Sequence, residues 1–353
     1  MIKSCYIHIP FCKKICSYCD FCKIYYNEIF INKYLDALEK EIDTYYKGEL
    51  LDTLYIGGGT PSSLSLEELN RLFNILKRLN TSDKLEYTIE SNIEDITEDK
   101  LKLFKNNGIN RISIGVESFN EDNLKFMNRP SINLDKLNLV KKYFDNINID
   151  LIYALPNETL DILNSDLDKV LEFNPKHISI YSLIIENNTM IRDLEPIDDE
   201  LDYEMYKLIC DRLSNYNHYE ISNFAIPGYE SKHNLTYWNN DEYYGFGMGA
   251  SGYVNDIRYT NTKSINHYIK NEFNRVEEHL TLLDKEKYEL IMGFRKLSGI
   301  NLNTYKEKYN KDLLDNKIIN KLLSDNKLQI KDNNIFINND YIYLQNEILL
   351  ELI

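Results

Sequence analysis

Short apolar runs alternate with amphipathic stretches through the first two hundred residues, and this alternation restricts the possible folds most strongly. Six runs have the length and composition of strands, namely 4–10, 53–57, 86–91, 111–116, 148–153 and 177–184. The segments between them carry apolar residues at helical spacing, over 31–46, 65–79, 97–106, 134–144 and 159–173. Strands that alternate with helices form parallel β/α units. We therefore predict an α/β fold built as a barrel, a partial barrel or a doubly wound sheet.

The segments of this half that contain clustered cysteines, glycines or carboxylates lie where predicted strands end. Ligands of parallel α/β folds bind at the carboxyl ends of the strands, so residues there are expected to share one site. The segments are a cysteine cluster at 12–19, the glycine run 57–61, residues 90–92, residues 117–119 and residues 150–156. The sequence thus predicts that five chain segments meet on one face.

Cys12, Cys16 and Cys19 are the most closely clustered candidate metal ligands of the chain. Iron–sulfur clusters normally take four cysteines, so a trio suggests a cluster with one iron left open. Three other interpretations remain. The spacing also fits one face of a helix that packs as small apolar residues. Cys22 could complete a four-thiolate zinc site, or the thiols could form disulfides.

The first residues lack the apolar run of a secretory signal. We therefore expect a cytoplasmic protein, in which clustered cysteines bind metal more often than they pair.

The glycine run and several polar strand residues are candidate ligand contacts. Gly58 and Gly59, followed by Thr60, would let a polar ligand approach the backbone closely, although a tight turn explains the run equally well. No lysine follows, so the run is not a P-loop. Carboxylates suit ribose hydroxyls or an ammonium group and arginine suits a carboxylate, although each alone is more often a surface ion pair. The candidates of this kind are Glu90, Glu117, Arg129 and Asp150.

The pattern changes after about residue 198. A helix at 199–215 leads into a loop-rich, aromatic stretch that contains His233 and Trp238. Histidine is a common haem-iron ligand and tryptophan offers a flat apolar face, but a helix cap or a buried, hydrogen-bonded histidine fits as well. Helices at 285–297, 304–309 and 313–325 precede two short strands and a last helix, an order that resembles a winged-helix unit. We predict domains at 1–215, 216–280 and 281–353.

Charge and hydropathy exclude some partners. Lys and Arg total 41 against 56 Asp and Glu, a net charge of −15, which disfavours nucleic acid because phosphate binding needs a basic surface. No apolar run reaches 18 residues, so no transmembrane segment is expected, although transient contact with a membrane surface stays open.

The cysteine motif, with Tyr18 before its last cysteine, resembles that of the radical S-adenosylmethionine (SAM) superfamily. Within the superfamily the chain is similar to the oxygen-independent coproporphyrinogen oxidase-like proteins, and most similar to their haem chaperone branch. The segments that carry this resemblance are 8–12, 56–61, 111–119, 150–156, 219–227, 233–238 and 245–252.

The resemblance implies a partial (β/α) barrel with a C-terminal winged-helix-like unit. Cys12, Cys16 and Cys19 would hold a 4Fe–4S cluster whose fourth iron chelates the methionine end of SAM. His233 and Trp238 lie in the segment associated with haem binding, so haem and a respiratory haem-accepting protein are the implied partners. The residues that would surround SAM are Tyr6, Gly58, Gly59, Thr60, Glu90, Glu117, Arg129 and Asp150.

Two functions compete within the resemblance. The oxidase decarboxylates a porphyrinogen, whereas the chaperone branch carries haem to acceptors. The oxidase usually has a longer N-terminal arm and a cysteine two positions beyond the trio, where this chain has Phe21. Both differences favour the chaperone, and no catalytic residue is assigned. The chain also departs from the family pattern at Glu117, Ile93 and Ser251, where glutamine, proline and histidine are common.

Overall fold

The computed structural model describes residues 1–352 and centres on a nine-stranded sheet. The strands run in the spatial order β9-β1-β2-β3-β4-β5-β6-β8-β7, parallel from β9 to β6 and antiparallel from β6 to β7. Because β9 and β7 end the sheet at opposite edges, the barrel is partial. The α/β prediction is confirmed. The strands are β1 Ser4–Ile9, β2 Leu51–Gly58, β3 Thr81–Asn92, β4 Arg111–Glu117, β5 Asn146–Tyr153, β6 His177–Ser182, β7 Asn217–Glu220, β8 Asn223–Ala225 and β9 Tyr244–Phe246.

Seven helices connect or follow the strands of the barrel. Two predicted helix starts are confirmed: Ser65 and Glu68 form a reciprocal capping box, and the Thr97 side chain accepts a hydrogen bond from the Lys100 N–H. Such caps satisfy backbone donors that the first turn leaves free. The helices are α1 Glu28–Tyr45, α2 Leu66–Leu76, α3 Glu98–Asn106, α4 Glu121–Phe126, α5 Leu134–Lys141, α6 Leu160–Phe173 and α7 Asp199–Arg212.

Strand β4 shows how the barrel separates an apolar outer layer from a polar interior. Successive strand residues face opposite sides of a sheet. Ile112, Ile114 and Val116 are fully buried in the main hydrophobic core, whereas Arg111 and Ser113 line a cavity. The inward faces of the strands therefore carry the side chains available for ligand chemistry.

The segment after α7 adds strands β7 to β9 to the central sheet, which the sequence did not predict. It also forms α8 Lys232–Trp238, α9 Ile265–Tyr268 and an antiparallel sheet of β10 Ser251–Val254, β11 Ile257–Asn261 and β12 Arg275–His279. Glu41 of α1 holds this segment against the barrel. Its buried carboxylate accepts hydrogen bonds from the Gly247 N–H (2.8 Å), the Asn261 amide (2.8 Å) and the Tyr268 hydroxyl (2.7 Å), and it pairs with Arg275.

The C-terminal part has a hydrophobic core of its own, which includes Leu290, Phe294, Ile335 and Ile348. The predicted helix over 313–325 is divided at Asn316, whose side chain caps α12 after a short 3₁₀ turn. The elements are α10 Leu282–Gly293, β13 Ile300–Asn301, α11 Leu302–Tyr309, α12 Lys317–Ser324, β14 Leu328–Lys331, β15 Asn334–Ile337 and α13 Gln345–Leu352. No helix within residues 1–352 has both the length and the apolar character that a bilayer span requires.

Candidate functional site

A cavity of about 470 Å³ lies inside the partial barrel. Its lining joins the strand-end segments that the sequence singled out with inward-facing residues from deeper in the strands. Three predicted site residues, Tyr6, His233 and Trp238, lie outside this lining. The predicted residues that the cavity brings together are Cys12, Cys16, Cys19, Gly58, Gly59, Thr60, Glu90, Glu117, Arg129 and Asp150.

The cysteine loop is folded back on itself by two short parallel strands, Phe11–Cys12 and Ile24–Tyr25. The Ser17 N–H donates to the Met127 carbonyl at 3.1 Å, which holds the loop on the segment after α4. Around the thiols, the Thr60 hydroxyl donates to Cys12 Sγ at 3.4 Å and the Arg129 guanidinium donates to Cys16 Sγ at 3.5 Å. Hydrogen bonds to sulfur stabilise thiolate ligands, so this setting suits metal-bound cysteines.

The trio is not gathered around a single ion. Within residues 1–352 no group of three or more His, Cys, Asp or Glu side chains is placed to hold one metal ion. The thiolates of a cubane cluster bind different iron atoms, so a cluster does not require such convergence. Cys22 lies outside the cavity lining, and a Cβ atom on Gly249 would be only 2.6 Å from its Sγ. The sulfur of Cys22 therefore faces Gly249, which disfavours the four-thiolate alternative.

The glycine run packs directly against β1 and the cysteine loop. Gly58 has a φ of 117°, and a Cβ there would lie 2.7 Å from the His8 ring. A Cβ on Gly59 would lie 2.7 Å from the Pro10 carbonyl carbon and 2.9 Å from Cys12 Sγ. Only glycine lets the run pass this close, and the run leaves a surface without side chains beside the thiols.

Two buried glutamates face the cavity with different partners. Glu90 accepts hydrogen bonds from the Tyr55 hydroxyl at 2.8 Å and from the Gly58 N–H at 3.0 Å. Glu117, in the left-handed region at φ 66°, pairs with Arg129 at 3.5 Å. Burial is the largest influence on both carboxyl groups and raises the pKa of each to about 7. Glu90 can therefore change protonation state near neutral pH, whereas the Arg129 charge opposes the effect of burial on the pKa of Glu117.

Asp150 is the third buried carboxylate of the site. It accepts from the Ser113 hydroxyl at 2.9 Å and from the Asn148 amide at 2.8 Å, while burial raises its pKa. Together the three carboxylates offer acceptors to hydroxyl or ammonium groups of a ligand.

The polar residues deeper in the cavity were not predicted from the sequence. Their signal is the period-two alternation of polar side chains along strands whose other face is apolar. Asn234 of α8 is an exception, because only the tertiary fold brings it to the cavity. The missed lining residues include Tyr55, Arg111, Ser113, Asn148, Ser179 and Asn234.

His233 is buried beside the cavity, with both ring nitrogens occupied. Its Nδ1 lies 2.7 Å from the Thr53 hydroxyl and its Nε2 lies 2.7 Å from the Tyr237 hydroxyl. Burial lowers the pKa of this imidazole to about 3, so the ring is neutral. The carboxylate of Glu86 accepts from the backbone N–H groups of Lys232 and His233 and so fixes the start of α8.

Tyr6 lies beside His233, whereas Trp238 contacts the C-terminal part of the chain. The Tyr6 hydroxyl is 3.0 Å from His8 Nδ1, and its ring lies 6.4 Å from that of His233 between centroids. Trp238 is half-buried, and its indole N–H finds no hydrogen-bond partner within residues 1–352. The guanidinium of Arg295 lies 5.6 Å from the centre of the indole ring.

This fold and its cysteine-lined cavity define a protein of the radical SAM type, and the family model described as Radical SAM superfamily matches residues 6–170. A solved structure described as coproporphyrinogen III oxidase (HemN) from Escherichia coli superposes with a TM-score of 0.86. The superposition covers 99% of this chain and 90% of that chain at 23% sequence identity. At that identity the likeness establishes the fold alone.

Curated relatives assign the chain to a narrower group within the superfamily. The "Heme chaperone HemW" of Lactococcus lactis is 42% identical over 323 residues, covering 87% of this chain and 85% of the relative. The protein of that name from Bacillus subtilis is 38% identical, with 88% of each chain covered. The one from Escherichia coli is 33% identical, with 84% and 83% covered. The chain therefore belongs to the HemN-like family of the radical SAM superfamily, in its HemW branch.

Membership of the radical SAM superfamily implies a 4Fe–4S cluster and SAM. The residues present fit both groups on three observations. The cavity lining contains three thiols with no fourth, and the glycine run beside them presents backbone without side chains. The buried Nε of Arg129 also finds no protein acceptor within residues 1–352. A ligand that carries a carboxylate would supply one.

Proposed function

We propose that this protein is a haem chaperone that binds haem and transfers it to acceptor proteins while carrying a 4Fe–4S cluster and SAM. The proposal depends above all on one observation, the similarity of more than four fifths of the chain to relatives named heme chaperone HemW. The cysteine-lined cavity is consistent with it, because both cofactors need such a site.

In this proposal Cys12, Cys16 and Cys19 hold the cluster. The backbone around Gly58 to Thr60 and the Arg129 guanidinium receive the methionine end of SAM. Glu90, Glu117, Asp150 and Tyr6 surround the rest of the ligand, with Tyr6 acting through the Tyr55 ring that it contacts. When bound, the cluster can supply an electron that cleaves SAM at its C5′–sulfur bond.

Haem is the cargo in this proposal, and the α8 segment with His233 and Trp238 is its contact. The C-terminal unit is proposed as the docking site of the acceptor, with domain limits at 215/216 and 280/281. It contacts α8 directly: the Lys308 ammonium donates to the Asn239 carbonyl at 3.1 Å and the Lys296 ammonium donates to the Asn239 side chain at 2.6 Å. An acceptor bound to the C-terminal unit would therefore lie close to α8, the helix proposed to contact haem. We further propose a respiratory acceptor and a cytoplasmic location.

Coproporphyrinogen oxidation is the second candidate, favoured by the shared fold with HemN. Phe21 disfavours the oxidase function, because this exposed phenyl ring lines the cavity at the position where the oxidase pattern has a cysteine.

The test is to purify the protein without oxygen and offer haem and coproporphyrinogen separately, each with SAM and a reductant. We expect a stoichiometric haem complex that yields its haem to an apo-cytochrome, and no protoporphyrinogen. Formation of protoporphyrinogen at a catalytic rate, or the absence of a haem complex, would contradict the proposal.

A further inference from the structure

Arg111 is a buried cation that finds no partner among residues 1–352. Only 2% of the residue is exposed, and its side chain lines the cavity. Its Nε is buried without an acceptor, and within residues 1–352 the guanidinium makes no hydrogen bond and no ion pair. Other buried cations differ, since Arg129 pairs with Glu117 and Arg275 pairs with Glu41.

An unpaired charge in a protein interior is unfavourable by several kcal/mol unless another group compensates it. A guanidinium cannot relieve this cost by losing its proton. Because Arg111 faces a cavity rather than packed side chains, the compensating group can arrive with a ligand. The most favourable partner is a carboxylate, which matches the planar fork of the guanidinium.

Strand geometry separates this position from the expected SAM site. Arg111 begins β4 and Glu117 ends it, so six residues at about 3.3 Å each place the two backbone positions about 20 Å apart. The thiols, the glycine run and Arg129 belong to the Glu117 end. A carboxylate at Arg111 is therefore not the methionine carboxylate of SAM in the arrangement proposed above.

The groups around Arg111 leave it without a competing anion in contact. Burial raises the pKa of Asp150 and the charge of Arg111 opposes this, but within residues 1–352 the two form no ion pair, and the Asp150 oxygens accept from Ser113 and Asn148. His177 and His233 also respond to Arg111, and burial with this cation lowers the pKa of both rings, so both are neutral. His177 is fixed between Asn148 and the Tyr219 hydroxyl.

One neutral donor faces the same cavity. Asn234 lines it and can donate to an anion through its side-chain amide, whereas the hydroxyl protons of Ser113 and Ser179 are already donated to Asp150 and Asn148. Arg111 pairs with Thr88, which pairs with Tyr55 in the sheet, and the Tyr55 ring stacks on that of His233. This end of the cavity therefore adjoins the segment proposed to bind haem.

We infer that Arg111 forms a carboxylate subsite at the amino-terminal end of β4 and that it binds a propionate of the haem cargo. The inference rests on the proposed haem-binding function. It adds a residue outside the 233–238 segment that selects tetrapyrroles by their carboxylate side chains.

The test compares haem with haem dimethyl ester, which keeps the macrocycle but lacks the carboxylates. Both are titrated into the cluster-loaded wild-type protein and into the variants Arg111→Gln, Arg111→Lys and Arg212→Gln. Arg212 pairs with Asp168 on the outer helices, so its variant controls for the loss of one positive charge. Unfolding temperatures of the haem-free proteins and SAM affinities are measured alongside.

We expect the wild type to bind haem about 10- to 100-fold more tightly than the ester, the range for a hydrogen bond to a charged group. Arg111→Gln should remove this preference, Arg111→Lys should keep part of it, and Arg212→Gln should keep all of it. The haem-free Arg111→Gln protein should unfold at the same or a higher temperature, because it loses an uncompensated buried charge. Its SAM affinity should equal that of the wild type.

Several results would overturn the subsite while leaving the proposed function intact. They are equal affinity of the wild type for haem and ester, an unchanged preference in Arg111→Gln, a lower unfolding temperature of that haem-free variant, or a selective loss of SAM binding. A wild-type protein that binds neither tetrapyrrole overturns the proposed function, and the subsite with it.

Discussion

The His8 imidazole connects to the backbone of Cys22, with Nε2 2.7 Å from the Cys22 carbonyl oxygen. A carbonyl can only accept, so Nε2 carries the proton and Nδ1 accepts from the Tyr6 hydroxyl. Burial lowers the pKa of His8 to about 4, which keeps this neutral tautomer. The ring thus connects the end of the cysteine loop to β1. Cys22 takes part through its backbone carbonyl and not through its thiol.

This arrangement predicts different outcomes for the cysteine variants. Cys12→Ala, Cys16→Ala and Cys19→Ala should each lose most of the cluster, because each removes a thiol of the cavity. Cys22→Ala should keep a full cluster, because its sulfur faces Gly249. Iron and acid-labile sulfide, measured after anaerobic purification, check the prediction. An intact cluster in the triple variant, or its loss in Cys22→Ala, would show that the ligand set is wrong.

Gly59→Ala should disrupt the contact between the glycine run and the cysteine loop. The added Cβ would meet the Pro10 backbone at 2.7 Å, and backbone atoms cannot move aside without shifting Cys12. Overpacking of this kind costs about 1–3 kcal/mol. We expect a lower unfolding temperature and reduced iron content. Gly48→Ala strains a backbone at φ 91° but has nothing within 4 Å of its Cβ, so it should lower the unfolding temperature and keep its iron. Full iron content in Gly59→Ala would contradict the close packing.

Much of the barrel could be predicted from the sequence, because its strands are apolar runs and its helices carry local start signals such as Ser65 and Thr97. Strand β9 could not. It has only three residues, which is too short for a recognisable strand pattern. It is placed in the sheet by the pairing of Tyr244 with Cys5, which are far apart in the sequence. The 3₁₀ turn that divides 313–325 was missed because Leu314, Ile318 and Leu322 keep helical spacing across it, although asparagine favours a helix cap.

Some residues of the candidate site could likewise be predicted from the sequence, and others could not. Glu90, Glu117 and Asp150 could be found, because carboxylates interrupt apolar strands. Arg111 could not, because an arginine at the start of a strand ordinarily reaches solvent, and only packing from distant segments buries it. The enclosure of His233 by Thr53 and Tyr237 likewise depends on a contact across 180 residues.

The hydrogen bonds of His233 predict how it can reach haem iron. Nε2 must leave the Tyr237 hydroxyl before it can bind a metal. Tyr237→Phe should therefore raise haem affinity about fivefold, the value of one hydrogen bond near 1 kcal/mol. His233→Ala should lower it, and Thr53→Val, which releases only Nδ1, should not raise it. Soret titrations measure all three, and unchanged affinity in His233→Ala would place the iron ligand elsewhere.

Glu220 predicts a pH dependence of stability that does not involve the cavity. The residue is buried, its Oε2 has no partner within residues 1–352, and burial raises its pKa from 4.5 to about 7. The folded state therefore holds this proton more tightly than the unfolded state does. The associated stability is complete below pH 4.5 and is lost as the pH rises through about 7.

Glu220→Gln removes this titration and keeps the shape of the side chain. Relative to wild type, the variant should gain about 1–3 kcal/mol of unfolding free energy between pH 5 and pH 8. Urea denaturation at both pH values measures the difference. The exposed Glu172→Gln serves as control and should follow the wild type. If Glu220→Gln also follows the wild type at both pH values, Glu220 is ionised throughout, and Arg295, the cation that acts on this carboxyl group, compensates its burial.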